Sequence, residues 1–342
     1  MKILKYLLFL LLILFIAGSI YVATKDGDYH LEETRTIPAP ASLLYSEVNE
    51  MGNWETWSYW GSEEDMVVTQ RQPPSGEGAG FSWENSAMGD GSISTETVIP
   101  NKSLDQQLVL DGSISDIKTD LYWKFEPVEG GTKVSWGVKD DLNFKEKLAL
   151  TLRDGNLTDL LQPKLREGLE DLEARVIEKM EEYSINVDGV TQHGGGFYMY
   201  MTTATRTPDV YSRAGAMIDQ VSLYMRSNNI SIDGKPFILY NQRDERSDTS
   251  IFSAAVPTPS QVITPEGSTV LNGFLPAQKA VKITLKGNFK NAPEAWQQGY
   301  SYIEANGLEV NAEAAPFEVF YNNPDTDENP ALWITEIYIP IL

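Results

Sequence analysis

The sequence contains no cysteine and only two histidines, His30 and His193, in 342 residues. The first absence rules out disulfides, thiol nucleophiles, thiolate metal sites and a lipidated N-terminal cysteine. The second leaves little for imidazole chemistry. Positive charge is also scarce: 27 Lys and Arg stand against 49 Asp and Glu, for a net charge of −22. Binding to a phosphate backbone needs clustered cations to displace counterions, so nucleic acid is not an expected partner. The run Gly76-Glu77-Gly78-Ala79-Gly80 lacks the strand-to-helix setting of a phosphate loop and reads as a turn. His193 precedes three glycines in the manner of a hydrolase oxyanion loop, but no G-x-S-x-G elbow is present to serve it. The acidic "NNPDTDEN", with Asp325, Asp327 and Glu328, lacks the Gly and distal Glu of a calcium loop and reads as a solvated hairpin tip. No metal and no cofactor are expected.

What is present begins with an apolar run. Tyr6 to Ala23 holds no charge, Lys2 and Lys5 precede it, and Asp26, Asp28, Glu32 and Glu33 follow. At about 1.5 Å per residue the run is long enough for one bilayer crossing. The positive-inside rule then keeps the N-terminus cytoplasmic and predicts a membrane anchor over 1–25 with the rest extracytoplasmic, on the periplasmic side. Secretion after cleavage is the alternative, because Ala17-Gly18-Ser19 offers small residues at suitable positions.

The remainder reads as α+β in two parts. Over 29–183 the order is a strand ("YHLEETRTIP"), a helical stretch from Ser42 to Met51, a tryptophan cluster (Trp54, Trp57, Trp60) and six short strands between Glu63 and Asp140. A long amphipathic helix follows, with Leu157, Leu161, Leu165, Leu169, Leu172, Val176 and Met180 at helical spacing. Gly155 or Pro163 is expected to break it. "TIPAPASLLYSEVNEMGNWETWSYW", "WKFEPVEGGTKVSWGV" and "GLEDLEARVIEKM" carry a resemblance to the SRPBCC superfamily, also called START-like or polyketide-cyclase-like. It implies a helix-grip fold whose sheet curls around the long helix over an apolar ligand cavity. Trp83, Trp123, Trp136, Phe81, Phe125 and Tyr122 either line that cavity or fill it as ordinary core.

After a Gly-rich linker or run into a strand at 184–196, the last part, 187–342, repeats itself. Tyr224, Asn228, Ile230, Pro236-Phe237 and Pro257 recur as Tyr302, Asn306, Leu308, Pro316-Phe317 and Pro340, at offsets 302−224 = 78, 316−236 = 80 and 340−257 = 83. Each copy reads strand, helix, hairpin, and a pseudo-twofold pairing is expected because neither can cover its own sheet. The duplicated pattern, Pro-Phe before each hairpin and the closing "TEIYIPI" resemble the GyrI-like small-molecule-binding domain found as the effector-binding half of AraC-type regulators. The resemblance implies a groove between the repeats for organic, often aromatic or cationic, molecules, contacted by an acidic residue on the last strand. Glu336 stands at that position, and its counterpart in the first copy is Ser253. No helix-turn-helix pattern precedes either part, so DNA regulation is not inherited.

On the last strand Glu336 and Tyr338 share a face, and the aromatic candidates around them are Trp296, Tyr300, Tyr321, Tyr198, Tyr200 and Tyr240. A sheltered Glu lacks compensation for its charge, which a bound cation restores, with cation–π attraction of about 0.5–2 kcal/mol per contact. The alternative is a solvated strand Glu with no ligand. The expected function is binding of a small hydrophobic molecule by the first module and of an amphipathic or cationic one by the second. The runner-up is hydrolysis of reactive small molecules, which some GyrI-like relatives perform, with Glu336 as general base and Tyr338 assisting. Inhibition of a cytoplasmic protein conflicts with the expected topology.

Overall fold

The computed structural model describes residues 2–342 apart from 63–64, 87–88, 113–115, 153–156, 245–246, 323 and 325. The chain divides into two compact units, Met1–Lys179 and Met180–Leu342. The first begins with α1 (Lys2–Ala23), of which Ile3–Ala23 is long and apolar enough to cross a membrane, with a mean hydropathy of 2.5. Its large side chains are exposed almost throughout.

A strand β1 (Asp28–Ile37) leads to α2 (Ala41–Asn49), a 3-10 turn (Met51–Thr56) and α3 (Tyr59–Ser62). Six strands follow: β2 (Val67–Gln70), β3 (Gly80–Glu84), β4 (Gly91–Ile99), β5 (Ser103–Leu110), β6 (Ile117–Val128) and β7 (Gly131–Asp141). They form one antiparallel sheet in the order β1-β7-β6-β5-β4-β3-β2, so the chain meanders and then β1 closes against the last strand. The expected long helix is α5 (Leu157–Glu181), preceded by a shorter α4 (Phe144–Leu152). Pro163 lies inside α5 without ending it, at the cost of the helical hydrogen bond its N–H would have made, while Gly155 lies outside the described residues.

Leu161, Leu165, Leu169, Leu172 and Val176 form the buried stripe of α5. Trp54, Trp57, Trp60, Trp83, Trp123 and Trp136 are all buried, with Trp123 stacked on Trp136 at 4.2 Å between ring centroids. Gly168 lets α5 approach this cluster, since a Cβ there would stand 2.5 Å from the Trp136 ring. The sequence left these aromatics as core or cavity lining. Five of the six strand aromatics are buried side chains of the core, and Tyr122 faces the other side of the sheet, its hydroxyl donating to Glu32 at 2.7 Å.

The second unit is one eight-stranded antiparallel sheet with two helices. Its elements are β8 (Ser184–His193), β9 (Gly196–Arg206), α6 (Val210–Ser227), β10 (Phe237–Asp244), β11 (Thr249–Thr258), β12 (Leu271–Leu275), β13 (Gln278–Lys286), α7 (Ala292–Ala305), β14 (Phe317–Phe320) and β15 (Ile334–Pro340). The strand order β12-β9-β11-β10-β14-β15-β13-β8 reads the same from either end once the copies are exchanged. Residues 184–193 are thus a full edge strand. The short β12, which the sequence does not announce because Asn272-Gly273 breaks its apolar run, is the matching edge of the other copy.

The copies meet along β10 and β14, with Phe237 opposite Val319, Ile238 opposite Glu318 and Leu239 opposite Phe317. Ile238 and Glu318 are themselves repeat equivalents, 318−238 = 80, so the pseudo-twofold passes between them. Both helices cover one face. Val210, Ala214 and Met217 of α6 and Ala295, Trp296 and Ile303 of α7 are buried against Ile238, Phe252, Ile283, Ile337 and Ile339. At roughly 1.5–3 kcal/mol per buried large apolar side chain, this packing holds the helices down.

Candidate functional site

Strand alternation sends Glu318 and Phe320 under the helices and Phe317 and Val319 to the open face. Glu318 is fully buried. One carboxylate oxygen, Oε1, accepts three hydrogen bonds: from Trp296 Nε1 at 2.6 Å, Tyr211 OH at 3.1 Å and Tyr240 OH at 3.1 Å. Its donors come from both copies, Tyr211 from the first turn of α6, Tyr240 from β10 and Trp296 from α7. The Arg243 guanidinium lies over the Tyr240 ring at 4.7 Å and the Trp296 ring at 5.5 Å.

The other oxygen, Oε2, is buried and has no hydrogen-bond partner among the described residues. As an anion the group lacks a donor there; as an acid it lacks an acceptor. Either state leaves a buried polar atom unsatisfied, at a cost of about 1–3 kcal/mol. Burial pushes the Glu318 carboxyl above its ordinary pKa, against the opposing pull of Trp296, Tyr211, Tyr240 and Arg243. The same burial, with the carboxylate beside them, raises Tyr211 and Tyr240 well above the ordinary phenol value.

Beside this cluster is a cavity of ≈ 390 Å³ whose walls include Tyr211, Ala214, Ile218 and Asp219 of α6, with Phe289 and Phe320. Tyr211 belongs to both: its ring stacks on Phe289 at 5.1 Å and lines the cavity, while its hydroxyl holds Glu318.

Glu336, the acidic residue expected to contact the ligand, lies on the opposite face. It is 9 % exposed, so it does not stand free in solvent. Its Oε1 is 2.6 Å from Lys282 Nζ, and Oε2 accepts from Tyr338 OH at 2.7 Å and Tyr321 OH at 3.0 Å. Asp188 stands 3.7 Å from the same ammonium and accepts from Thr284. The expectation that this carboxylate lacks a countercharge is therefore corrected: register places Lys282 opposite Tyr338, on the Glu336 face, and supplies it. Burial would raise the Glu336 pKa, but the hydrogen bonds from Lys282, Tyr338 and Tyr321 outweigh it and hold the group below the ordinary carboxylate value.

The expected aromatic set divides between the faces. Tyr338 and Tyr321 hold Glu336, and Tyr198 and Tyr200 pack together on that open face, 5.4 Å between centroids. Tyr240 and Trp296 lie under the helices with Glu318, and Tyr300 stacks on Trp296 at 6.1 Å from a half-exposed position. Glu318 and Tyr211 were not among the expected site residues. A signal for Glu318 was available, a charge between Phe317 and Val319 where the first copy has Ile238. Of the acidic loop, Asp325 lies outside the described residues. No group of three or more His, Asp or Glu side chains poised to hold a metal occurs among the described residues.

Three solved structures illustrate what the chain resembles. The crystal structure of the EcmrR C-terminal domain is 16% identical, with 47% of this chain and 98% of that one covered and a TM-score of 0.40. An EcmrR–DNA complex is 14% identical over 58% of this chain and 77% of that one, also at 0.40, and the DNA is a property of that complex. The Aha1 dimer from Colwellia psychrerythraea is 15% identical over 43% and 96%, at 0.32. No curated protein matches the sequence. The sequence model of the GyrI-like small molecule binding domain matches residues 196–342, and that part of the chain is a GyrI-like domain.

Proposed function

We propose that the C-terminal domain binds an amphipathic organic cation against Glu318. The observation that carries this reading is the carboxylate at the pseudo-twofold centre, fully buried, with one oxygen crowded by three neutral donors and the other without a partner. A cation with an apolar body meets both needs: it offers the countercharge that the neutral donors do not, and its body fits the aromatic cavity behind Tyr211. Access requires Tyr211 and the first turn of α6 to yield. Binding energy must therefore exceed the loss of one hydrogen bond and one ring stack, about 1–3 kcal/mol together. Trp296 and Tyr240 are the aromatic contacts of this site.

Hydrolysis with Glu336 as general base is the weaker reading. A base acting near neutrality needs a raised pKa, and Lys282, Tyr338 and Tyr321 hold this group low. For the first unit we propose an SRPBCC-like helix-grip module, supported by its element order and long closing helix, with tryptophans occupying the space where an apolar ligand would otherwise lie. The apolar α1 supports a membrane-anchored protein with both modules on the extracytoplasmic side; protease accessibility in intact cells tests that placement.

Calorimetric titration of the full-length chain with benzyltrimethylammonium tests the cation site. Saturable binding that falls at least tenfold in Glu318→Gln and persists in Glu336→Gln is the expected result. Loss in Glu336→Gln alone would return the site to the open face, and absence of binding by wild type would overturn the reading.

A further inference from the structure

The open face of the C-terminal sheet, one backbone layer away from Glu318, holds a second cavity of ≈ 590 Å³. Its floor is Phe237 with Tyr198 beside it at 5.2 Å, over the fully buried Phe317, the repeat equivalent of Phe237, which meets it edge to face at 6.2 Å between centroids. Its two ends are equivalents as well. Leu275 pairs with Gly196 and His193 with Gln278, and 278−196 = 82 matches the offset 284−202 = 82 between the threonines opposite Ser253 and Glu336. One end of a near-symmetric apolar groove is therefore leucine and the other imidazole.

That imidazole is oriented. Gly195 N–H donates to His193 Nδ1 at 3.2 Å, so the neutral ring carries its proton on Nε2. Gly195 can make this turn because its φ is +70° and because a Cβ would fall 2.1 Å from the Leu275 carbonyl oxygen. The ring is fixed edgewise against Phe317 at 4.7 Å and Tyr338 at 5.0 Å. Burial lowers the His193 pKa, with Glu336 pulling weakly the other way, which favours the neutral ring. No protein acceptor engages Nε2 among the described residues.

Lys235 stands exposed at the rim, its ammonium 3.2 Å from the Tyr321 carbonyl oxygen and 5.9 Å from the Tyr321 ring centroid. Among the described residues Asp233 is the one acidic lining residue, two positions along the same exposed turn. The nearest buried carboxylate, Glu336, is paired with Lys282, which offsets its charge beneath the groove. Floor, donor and charge thus suit one ligand shape, a flat ring for the aromatic floor and a negative acceptor for the N–H and the ammonium.

We propose that this open-face groove is a second ligand site, independent of Glu318, that takes a flat aromatic carboxylate with its ring on Phe237 and Tyr198 and its carboxylate between His193 and Lys235. Two histidines in the whole chain make the site directly observable, because imidazole nitrogen–proton NMR gives one reporter inside the groove and one, His30, in the other unit.

The probe is 2-naphthoate titrated into the full-length chain. The His193 resonances are expected to move saturably while those of His30 stay, and 2-naphthylmethylammonium is expected to bind there at least tenfold more weakly. Lys235→Gln and His193→Leu, the latter the residue of its own repeat equivalent, should each weaken naphthoate at least fivefold. Saturating benzyltrimethylammonium should leave the naphthoate shifts in place. Absence of a His193 shift at millimolar naphthoate, equal affinity for the ammonium analogue, or displacement of naphthoate by the cation would each overturn the proposal.

Discussion

Glu318 and Glu336 sit on successive rungs of one ladder. Glu318 faces Ile337 across β14 and β15, and Val319 faces Glu336 on the next rung, so the two carboxylates project to opposite sides of the same sheet. Both are buried, yet burial leaves one pKa raised and the other lowered. The difference lies in what surrounds them. Glu336 has an ammonium at 2.6 Å on one oxygen and two phenol donors on the other, whereas Glu318 has three neutral donors crowded on one oxygen. A buried glutamate with its countercharge built in is a structural ion pair; one without it is poised to receive a charge from outside.

The largest effect that tests this contrast is the loss of charge at each position. Glu336→Gln leaves Lys282 three-quarters buried without its nearest partner, and the local stability of β14 and β15 should fall by about 2–3 kcal/mol. Glu318→Gln keeps an acceptor for Trp296, Tyr211 and Tyr240 and removes a buried charge that no cationic side chain bonds directly, so it should be neutral or stabilising near pH 7.5. Hydrogen exchange at the backbone amides of the two strands reads both. Equal losses in the two variants would erase the distinction between ion pair and vacant site.

Acidity sharpens the same comparison with a smaller effect. The folded Glu318 pKa lies above its ordinary 4.5, so the folded state keeps a proton that the unfolded chain releases. Its contribution to stability therefore declines as pH rises from about 4.5 through the folded value, by up to about 1.4 kcal/mol per pH unit. Glu336 behaves in the opposite sense. Its contribution is complete above 4.5 and is lost as pH falls from there through the lowered folded value. The advantage of Glu318→Gln over wild type should thus grow with pH above 4.5, and the deficit of Glu336→Gln should shrink below it. Stability curves of wild type and both variants between pH 3.5 and 8 give the two signs separately.

The sequence carried much of the frame of this contrast and little of its electrostatics. Repeated Pro-Phe pairs announced the hairpins, and the correspondence of Ser253 with Glu336 is reproduced by register, since Ser253 faces Leu239 as Glu336 faces Val319. Ile238 and Glu318 differ as sharply as Ser253 and Glu336, but Glu318 lies within the short apolar strand Phe317–Phe320, whose pattern reads as core. Lys282 could not be assigned to Glu336 from sequence, because only the register of β13 on β15 puts the two on one face. The division of the aromatic candidates follows from the same cause: period-two alternation tells which residues share a face within one strand, and nothing in the letters aligns the faces of different strands.

The smallest expected effect concerns the donors themselves. Tyr321→Phe removes one of the hydrogen bonds to Glu336, but Lys282 and Tyr338 remain on that carboxylate and the tyrosine is 42% exposed, so water can take its place. The loss should be about 0.5 kcal/mol. Trp296→Phe removes the 2.6 Å bond to Glu318 where no water reaches, and should cost about 1–2 kcal/mol while raising the Glu318 pKa further, because a group that favours the anion is gone. The same substitution should weaken the binding of benzyltrimethylammonium, since a carboxyl that holds its proton more firmly offers less charge to a cation. A Trp296→Phe protein with unchanged cation affinity would place the ligand away from Glu318, even if its stability fell as expected.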